Sequence, residues 1–333
     1  DDCMRKVLYY LLRALALILV AISLNFLLVH LMPGDPLLHI LGEEEYFTLY
    51  YNYPEILDKV RAQYALDGSL FEQYIRFLWN TVTFQFGKSY ISGQNVVQVV
   101  LFRLRWTLVL SVTAIILSAF VGGALGIFAG YHKGRRADSA LTFVFLLFET
   151  IPANCLALIV LVIFAFNLHW FPVGGMASGV LTGWAKFADT LYHMVLPVSV
   201  LALFKTSTNF LMMKSFVSQI RDEEYILTAE AKGLPRHKVL FRHVLRNVAV
   251  PYVTLLCMQF GYMLAGSMLI EVVFSWKGLG TLIYDGVIQH DYPTVQLCFL
   301  LIAVCVIFFQ FIADILAWKF DPRIKDGAVI HEA

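Results

Sequence analysis

Six runs of more than twenty mostly apolar residues recur along the chain, near 8–31, 106–130, 140–166, 194–215, 250–272 and 295–318. A helix rising about 1.5 Å per residue needs roughly 20 such residues to cross the ~30 Å hydrocarbon core of a bilayer. Each run is therefore a candidate transmembrane helix, and the chain reads as an all-α polytopic membrane protein with six spans. Its composition, 59% hydrophobic and 15% charged, lies outside that of soluble globular domains and agrees. The first run follows Arg5 and Lys6 as a secretory signal would, but it is too long and lacks a small-residue cleavage site, so it is expected to stay as an anchor.

The sparse basic residues orient the spans, because Lys and Arg in short loops are retained in the cytoplasm. Arg5, Lys6 and Arg13 flank the first span, and Lys133, Arg135 and Arg136 follow the second. Lys214, Arg221, Lys232, Arg236, Lys238, Arg242 and Arg246 crowd the segment after the fourth, and Lys319, Arg323 and Lys325 follow the sixth. The loops after spans three and five hold only Lys186 and Lys277. Both termini are expected in the cytoplasm. The chain divides into an N-terminal span (1–32), an extracytoplasmic segment (33–104), a transmembrane core (105–320) with a cytoplasmic loop at 216–249, and a cytoplasmic tail (321–333). Leu66, Leu70, Tyr74, Phe77 and Leu78 have helical spacing, so the outer segment is expected to fold as helices on the outer leaflet.

A net charge of +1 leaves no basic footprint for nucleic acid. Cys155, Cys257, Cys298 and Cys305 fall in apolar runs and read as packing residues, not a disulfide framework. Gly122, Gly126 and Gly130 recur every fourth residue, the spacing that lets two helix backbones approach closely.

Residues 216–249 cannot span and read as two short helices. Gly233 suits the C-cap of the first, and Pro235 opens the second where a missing N–H is harmless. Val239, Leu240, Val244, Leu245 and Val248 make one face of the second, with Arg236, Arg242, His243 and Arg246 elsewhere. A basic connector resting on anionic lipid is one reading. The small Ala229 and Ala231 before a stop-start turn favour a docking element for another protein.

At these residues the chain resembles a known family. "TAEAKGL" (228–234), followed by "FRHVLRN" (241–247) and Pro251, is similar to the cytoplasmic EAA loop of ABC-importer permeases, in the form found in dipeptide, oligopeptide and nickel permeases. "MPGDP" (32–36), "YALDGSLFEQYIRFL" (64–78), "FGKSYISGQNVV" (86–97), "FSWKGLGTLIYDGVIQHDYP" (274–293) and "DPRIK" (321–325) resemble further family segments in the same order. The resemblance implies that the helix before Gly233 is a coupling helix seated on an ATPase subunit. Tyr225, Thr228, Ala229, Glu230, Ala231, Lys232, Gly233, Leu234 and Arg242 are the expected ATPase-coupling residues, Glu230 standing where Arg is frequent. It also implies a prokaryotic plasma (inner) membrane, a second and related permease subunit, two ATP-binding cassette subunits and an extracytoplasmic substrate-binding protein. "ETIPANCLAL" and Asp67-Gly68-Ser69 depart from the family pattern.

Gly87-Lys88-Ser89 is not a P-loop, since the required upstream glycine position is Val82. No cofactor is expected in this chain, ATP and Mg being left to the partner ATPases. Ionisable residues inside spans are functional by default. Glu149, before the helix-bending Pro152, and Lys205 are candidates for an ion pair or, with Met258, Gln259, Met263 and Ser267, for the translocation pathway. The nine histidines are scattered without metal-ligand spacing, so no metal site is expected. An ion-gradient carrier would show an internal repeat, and an embedded enzyme convergent catalytic groups; neither is visible. The expected function is a non-catalytic permease half of an ABC importer for short peptides, with nickel or a metal chelate as the alternative cargo and a secondary transporter as the lower one.

Overall fold

A computed structural model describes residues 2–31, 36–63, 66–179 and 181–320, and among them every regular element is a helix. "MPGDP" falls largely outside these residues and "DPRIK" entirely so. Five helices are long and apolar enough to cross a membrane singly, or six crossings if one bent pair counts as a span. The long helices are α1 (Asp2–His30), α6 (Val96–Tyr131), α9 (Gly183–Arg221), α11 (Arg236–Gly261) and α14 (Tyr292–Phe320). The bent pair is α7 (Arg136–Thr150) and α8 (Ala153–Asn167), which meet at 96°. The bend expected at Pro152 is there. Proline lacks an N–H and forces the preceding residue out of the helical region, and Ile151 is extended (φ −84°, ψ 122°).

The glycine ladder is a close packing seam. A Cβ on Gly122 would lie 2.7 Å from Asn209 Cβ and 2.8 Å from the Thr206 carbonyl oxygen. One on Gly126 would meet Met213 Cβ at 2.7 Å, and one on Gly130 would meet Val217 Cβ at 2.8 Å. The register is constant and rising on both helices, so α6 and α9 run parallel. Two parallel neighbours joined in sequence require a return crossing. The α7–α8 pair supplies it, packing antiparallel on α9 with Phe145 against Phe210 (ring centroids 4.5 Å) and Asp138 bonded to Lys214 (2.6 Å).

Other contacts assign the ends of the bundle. Arg13 pairs with Asp314 (3.5 Å) and Asn25 donates to the Gln296 carbonyl (2.8 Å), so α1 and α14 are antiparallel. Asp291, just before α14, accepts from Ser89 Oγ (2.6 Å) and the Tyr90 N–H (3.0 Å), just before α6. The start of α1 and the ends of α6, α9 and α14 therefore share one end of the molecule, the end where the basic residues cluster.

The opposite end carries α2 (Pro36–Leu41), α3 (Glu43–Asn52), α4 (Pro54–Gln63) and α5 (Leu70–Val82). Leu37, Tyr46 and Leu57 form a small core there. Ser69 and Glu72 close a reciprocal capping box at the start of α5, and Phe77 is buried against α1 and α6. The second span corrects one boundary. Helix α6 starts at Val96, capped by Asn95 Oδ1 on the Val97 N–H (2.9 Å), so the division at 104/105 falls inside a helix. Arg103 and Arg105 made its first turns read as polar, yet the helix continues beyond the apolar zone.

Candidate functional site

The loop at the basic end folds as its sequence suggests. Helix α10 (Glu224–Ala231) ends in a Schellman turn: the Gly233 N–H bonds the Glu230 carbonyl (2.9 Å) and the Leu234 N–H bonds that of Ala229 (3.4 Å). Gly233 takes φ +76°, the left-handed conformation such a turn needs. Ile226 and Ala229 are the buried face of α10. They pack with Met213 and Val217 of α9 and Val239, Val244 and Val248 of α11. The apolar face expected on the second helix is therefore the seat of the first, although this second helix is not short. It runs unbroken into span five, its first turns at Val239–Val244 widened to π geometry.

Tyr225, Thr228, Glu230, Ala231, Lys232, Gly233, Leu234 and Arg242 are exposed, while Ala229 is turned inward. Leu227 (57% exposed) and Phe241 (69%) extend the exposed surface with apolar area. The element is fastened at both sides. Lys133 pairs with Asp222 (2.8 Å), Arg221 donates to the Tyr131 carbonyl (2.6 Å), and Asn247 donates to Tyr225 Oη (3.1 Å). A load on α10 thus reaches α6, α9 and α11 together.

The six residues expected on the pathway separate into two groups. Glu149, Lys205 and Gln259 are half-buried and Met258 is exposed. Met263 and Ser267 are buried within the chain: Met263 belongs to the core around Ile115 and Leu264, and Ser267 Oγ bonds Glu271 (3.1 Å). The Glu149–Lys205 ion pair does not form. Glu149 accepts from Thr208 Oγ1 (3.2 and 3.3 Å), and no described residue pairs with Lys205. Gln259 is paired with Asn209 (2.9 Å), which reaches on to Ser118. No group of three or more metal-ligating side chains occurs among the described residues.

Sequence reasoning missed a buried carboxylate. Glu271, in the short helix α12 (Met263–Val273) that continues α11, is fully buried. It accepts from Thr107 Oγ1 (2.7 Å) and Ser267 on one oxygen, and from the Gly280 (2.7 Å) and Thr281 (3.3 Å) N–H groups on the other. It thereby caps α13 (Leu279–Ile288), and Thr107 ties the cap to α6 while accepting from the Leu279 N–H (2.7 Å). A Cβ on Gly278 would lie 2.5 Å from both Glu271 Oε2 and Thr107 Oγ1. The available signal was an acidic residue closing an apolar run shortly before "KGLG".

Residues 122–326 match the family model described as "Binding-protein-dependent transport system inner membrane component". Among curated relatives, the glutathione transport system permease protein GsiC of Salmonella paratyphi A is 33% identical over 95% of this chain and 98% of its own. GsiC of Escherichia coli K12 is 31% identical over 91% of this chain and 92% of its own. A putative peptide transport system permease protein of Brucella abortus is 30% identical over 94% of this chain and 96% of its own. These names do not favour nickel as cargo.

Proposed function

We propose, from the premise that this chain belongs to the binding-protein-dependent transport system inner membrane components, that it is half of the translocation pathway of an ATP-driven importer of short peptides. A second, related permease completes the pathway, a binding protein delivers the peptide at the α2–α5 end, and two ATPase subunits hold ATP and Mg at the basic end. The peptide and glutathione names of the relatives support this cargo. The single observation that carries the coupling role is the seating of α10: two buried side chains fix it to α9 and α11 while Tyr225, Thr228, Ala231 and Leu234 face outward beside a glycine turn. Closure of the ATPases then moves a rigid lever and shifts the spans between outward-open and inward-open populations.

Gly233→Val tests this reading. Its Cβ meets nothing within 4 Å, so the substitution strains only the left-handed turn, by about 1–2 kcal/mol or more. Membrane insertion and chain abundance are expected to stay normal, while peptide uptake and peptide-stimulated ATP hydrolysis by the co-expressed complex are lost. Unchanged uptake in Gly233→Val would remove the coupling role.

A further inference from the structure

We propose that Lys205 and Glu149 read the two ends of a zwitterionic peptide, Lys205 binding the C-terminal carboxylate and Glu149 the N-terminal ammonium. The proposal rests on the peptide-importer reading above and names the side chains by which this chain meets its cargo.

Both charges lie in helices that cross the membrane, where an unneutralised charge is expensive and is kept for a purpose. Lys205 stands mid-way along α9, half-buried, with no hydrogen bond or ion pair to any described residue. Glu149 stands in the last turn of α7, just before the 96° bend, and among the described residues its carboxylate is tethered only by the Thr208 hydroxyl. Thr208 is three residues beyond Lys205, so the tether sits about 4.5 Å further along the helix axis, on an adjacent row. On the other side of Lys205 the Asn209–Gln259 bond closes the joint with α11. The face through Lys205 opens only toward the basic end: Met212, two turns on, is 43% exposed, whereas Val198, two turns back, and Leu201, one turn back, are buried.

Glu149 is bonded to the residue one helical turn beyond Lys205 without forming an ion pair with it, so a ligand carrying both signs can satisfy the two together. An extended peptide advances at most about 3.3–3.6 Å per residue, so one or two residues bridge the gap with the reach of the lysine arm. An anion or a cation alone satisfies only half of the site. Blocking either peptide end therefore leaves one half-buried charge unpaired.

The test uses the assembled complex of both permeases and the ATPases in lipid nanodiscs, without binding protein, so that the binding protein's own selectivity does not enter. Saturation-transfer difference NMR is recorded with millimolar Ala-Ala, its N-acetyl derivative and its C-terminal amide. The wild type is expected to favour the free peptide over both blocked forms. Lys205→Met should weaken Ala-Ala binding roughly tenfold and erase the preference over the amide while keeping that over the acetylated form. Glu149→Gln should do the reverse, and Lys205→Arg should retain the preference over the amide. Preferences unchanged in Lys205→Met and Glu149→Gln, or an equal loss for all three ligands with no rescue by Lys205→Arg, would mean that the two side chains serve structure or a neighbouring subunit, and the proposal falls. Adding binding protein to the same samples and measuring ATP hydrolysis separates the two levels. Peptide stimulation with unchanged preferences rejects the pair and keeps the importer, whereas no stimulation by any peptide rejects both.

Discussion

Four donors converge on the Glu271 carboxylate, two hydroxyls and two backbone N–H groups, in a site without exposed surface. Hydrogen bonds to a charged acceptor contribute ~1.5–3 kcal/mol, and each buried donor left unmet costs about 1–3 kcal/mol. Glu271→Gln keeps one carbonyl oxygen for the Gly280 and Thr281 N–H groups, whereas Glu271→Leu keeps none. Thermal gel filtration of the detergent-solubilised chain should rank the variants wild type above Gln above Leu. Equal losses would show that packing, not hydrogen bonding, holds α13. The glycines allow a matched comparison. Gly126→Ala puts a Cβ 2.7 Å from Met213 Cβ and should destabilise by about 1–3 kcal/mol. Gly266→Ala meets nothing within 4 Å and should be neutral or slightly stabilising, since alanine favours the helix. The glycine seam was legible in the sequence because a four-residue period needs no knowledge of the partner. Glu271 was not, because its donors arrive from α6 and α13 and a lone acid at the end of an apolar run looks like a boundary.

Among the elements, α10 was the most legible, announced by Gly233 with Pro235 at its end; α5 was read from its apolar spacing alone, and the Ser69–Glu72 capping box at its start was overlooked. The rotation of α9 about its axis was not legible. Its apolar residues surround the helix, so nothing in the sequence reveals which of its rows meets Glu149; the structure places Glu149 against Thr208. Met263 and Ser267 were placed on the pathway for the same reason, their side-chain types being compatible with a lining and their azimuth unknown. The α5 segment also carries a pH dependence. The Arg76 side chain bonded to Asp67 (2.7 Å) holds that carboxyl below its ordinary range, and the Ser69 N–H and hydroxyl hold Glu72 below its own. Both groups bind protons more weakly folded than unfolded, so their contribution is complete above the ordinary carboxylate range of about 4 and is lost as pH falls through their lowered values. Hydrogen-exchange protection across residues 66–82 should fall on acidification below about pH 4, and Arg76→Met should lower protection at neutral pH and flatten that fall, because Asp67 then titrates alike in the folded and unfolded chain. An acid profile identical in wild type and Arg76→Met would detach the ion pair from the element's stability.

At the scale of the molecule, the number of crossings follows from one fact, the parallel register of α6 and α9. Had α7 and α8 formed a loop dipping into the membrane and returning, Gly183 would lie beside His132, and a single passage of α9 would carry Asp222 to the far end. Asp222 instead pairs with Lys133, and Arg221 bonds the carbonyl of Tyr131. The chain must therefore cross between residues 136 and 167 despite the 96° bend. Basic loops collect at one end of this arrangement, and retention of positive charge predicts that this end faces the cytoplasm. Single cysteines replacing Lys133, Lys186 and Lys238 in a background without the native cysteines test crossing and orientation together. An impermeant maleimide applied to intact cells stripped of the outer barrier should label position 186 and leave 133 and 238 protected until the membrane is opened. Labelling of 133 and 238 with protection of 186 would invert the orientation and place α10 out of reach of any ATP-driven partner. Protection of all three would put residues 168–182 on the same side as the α10 loop, which the α6–α9 register forbids.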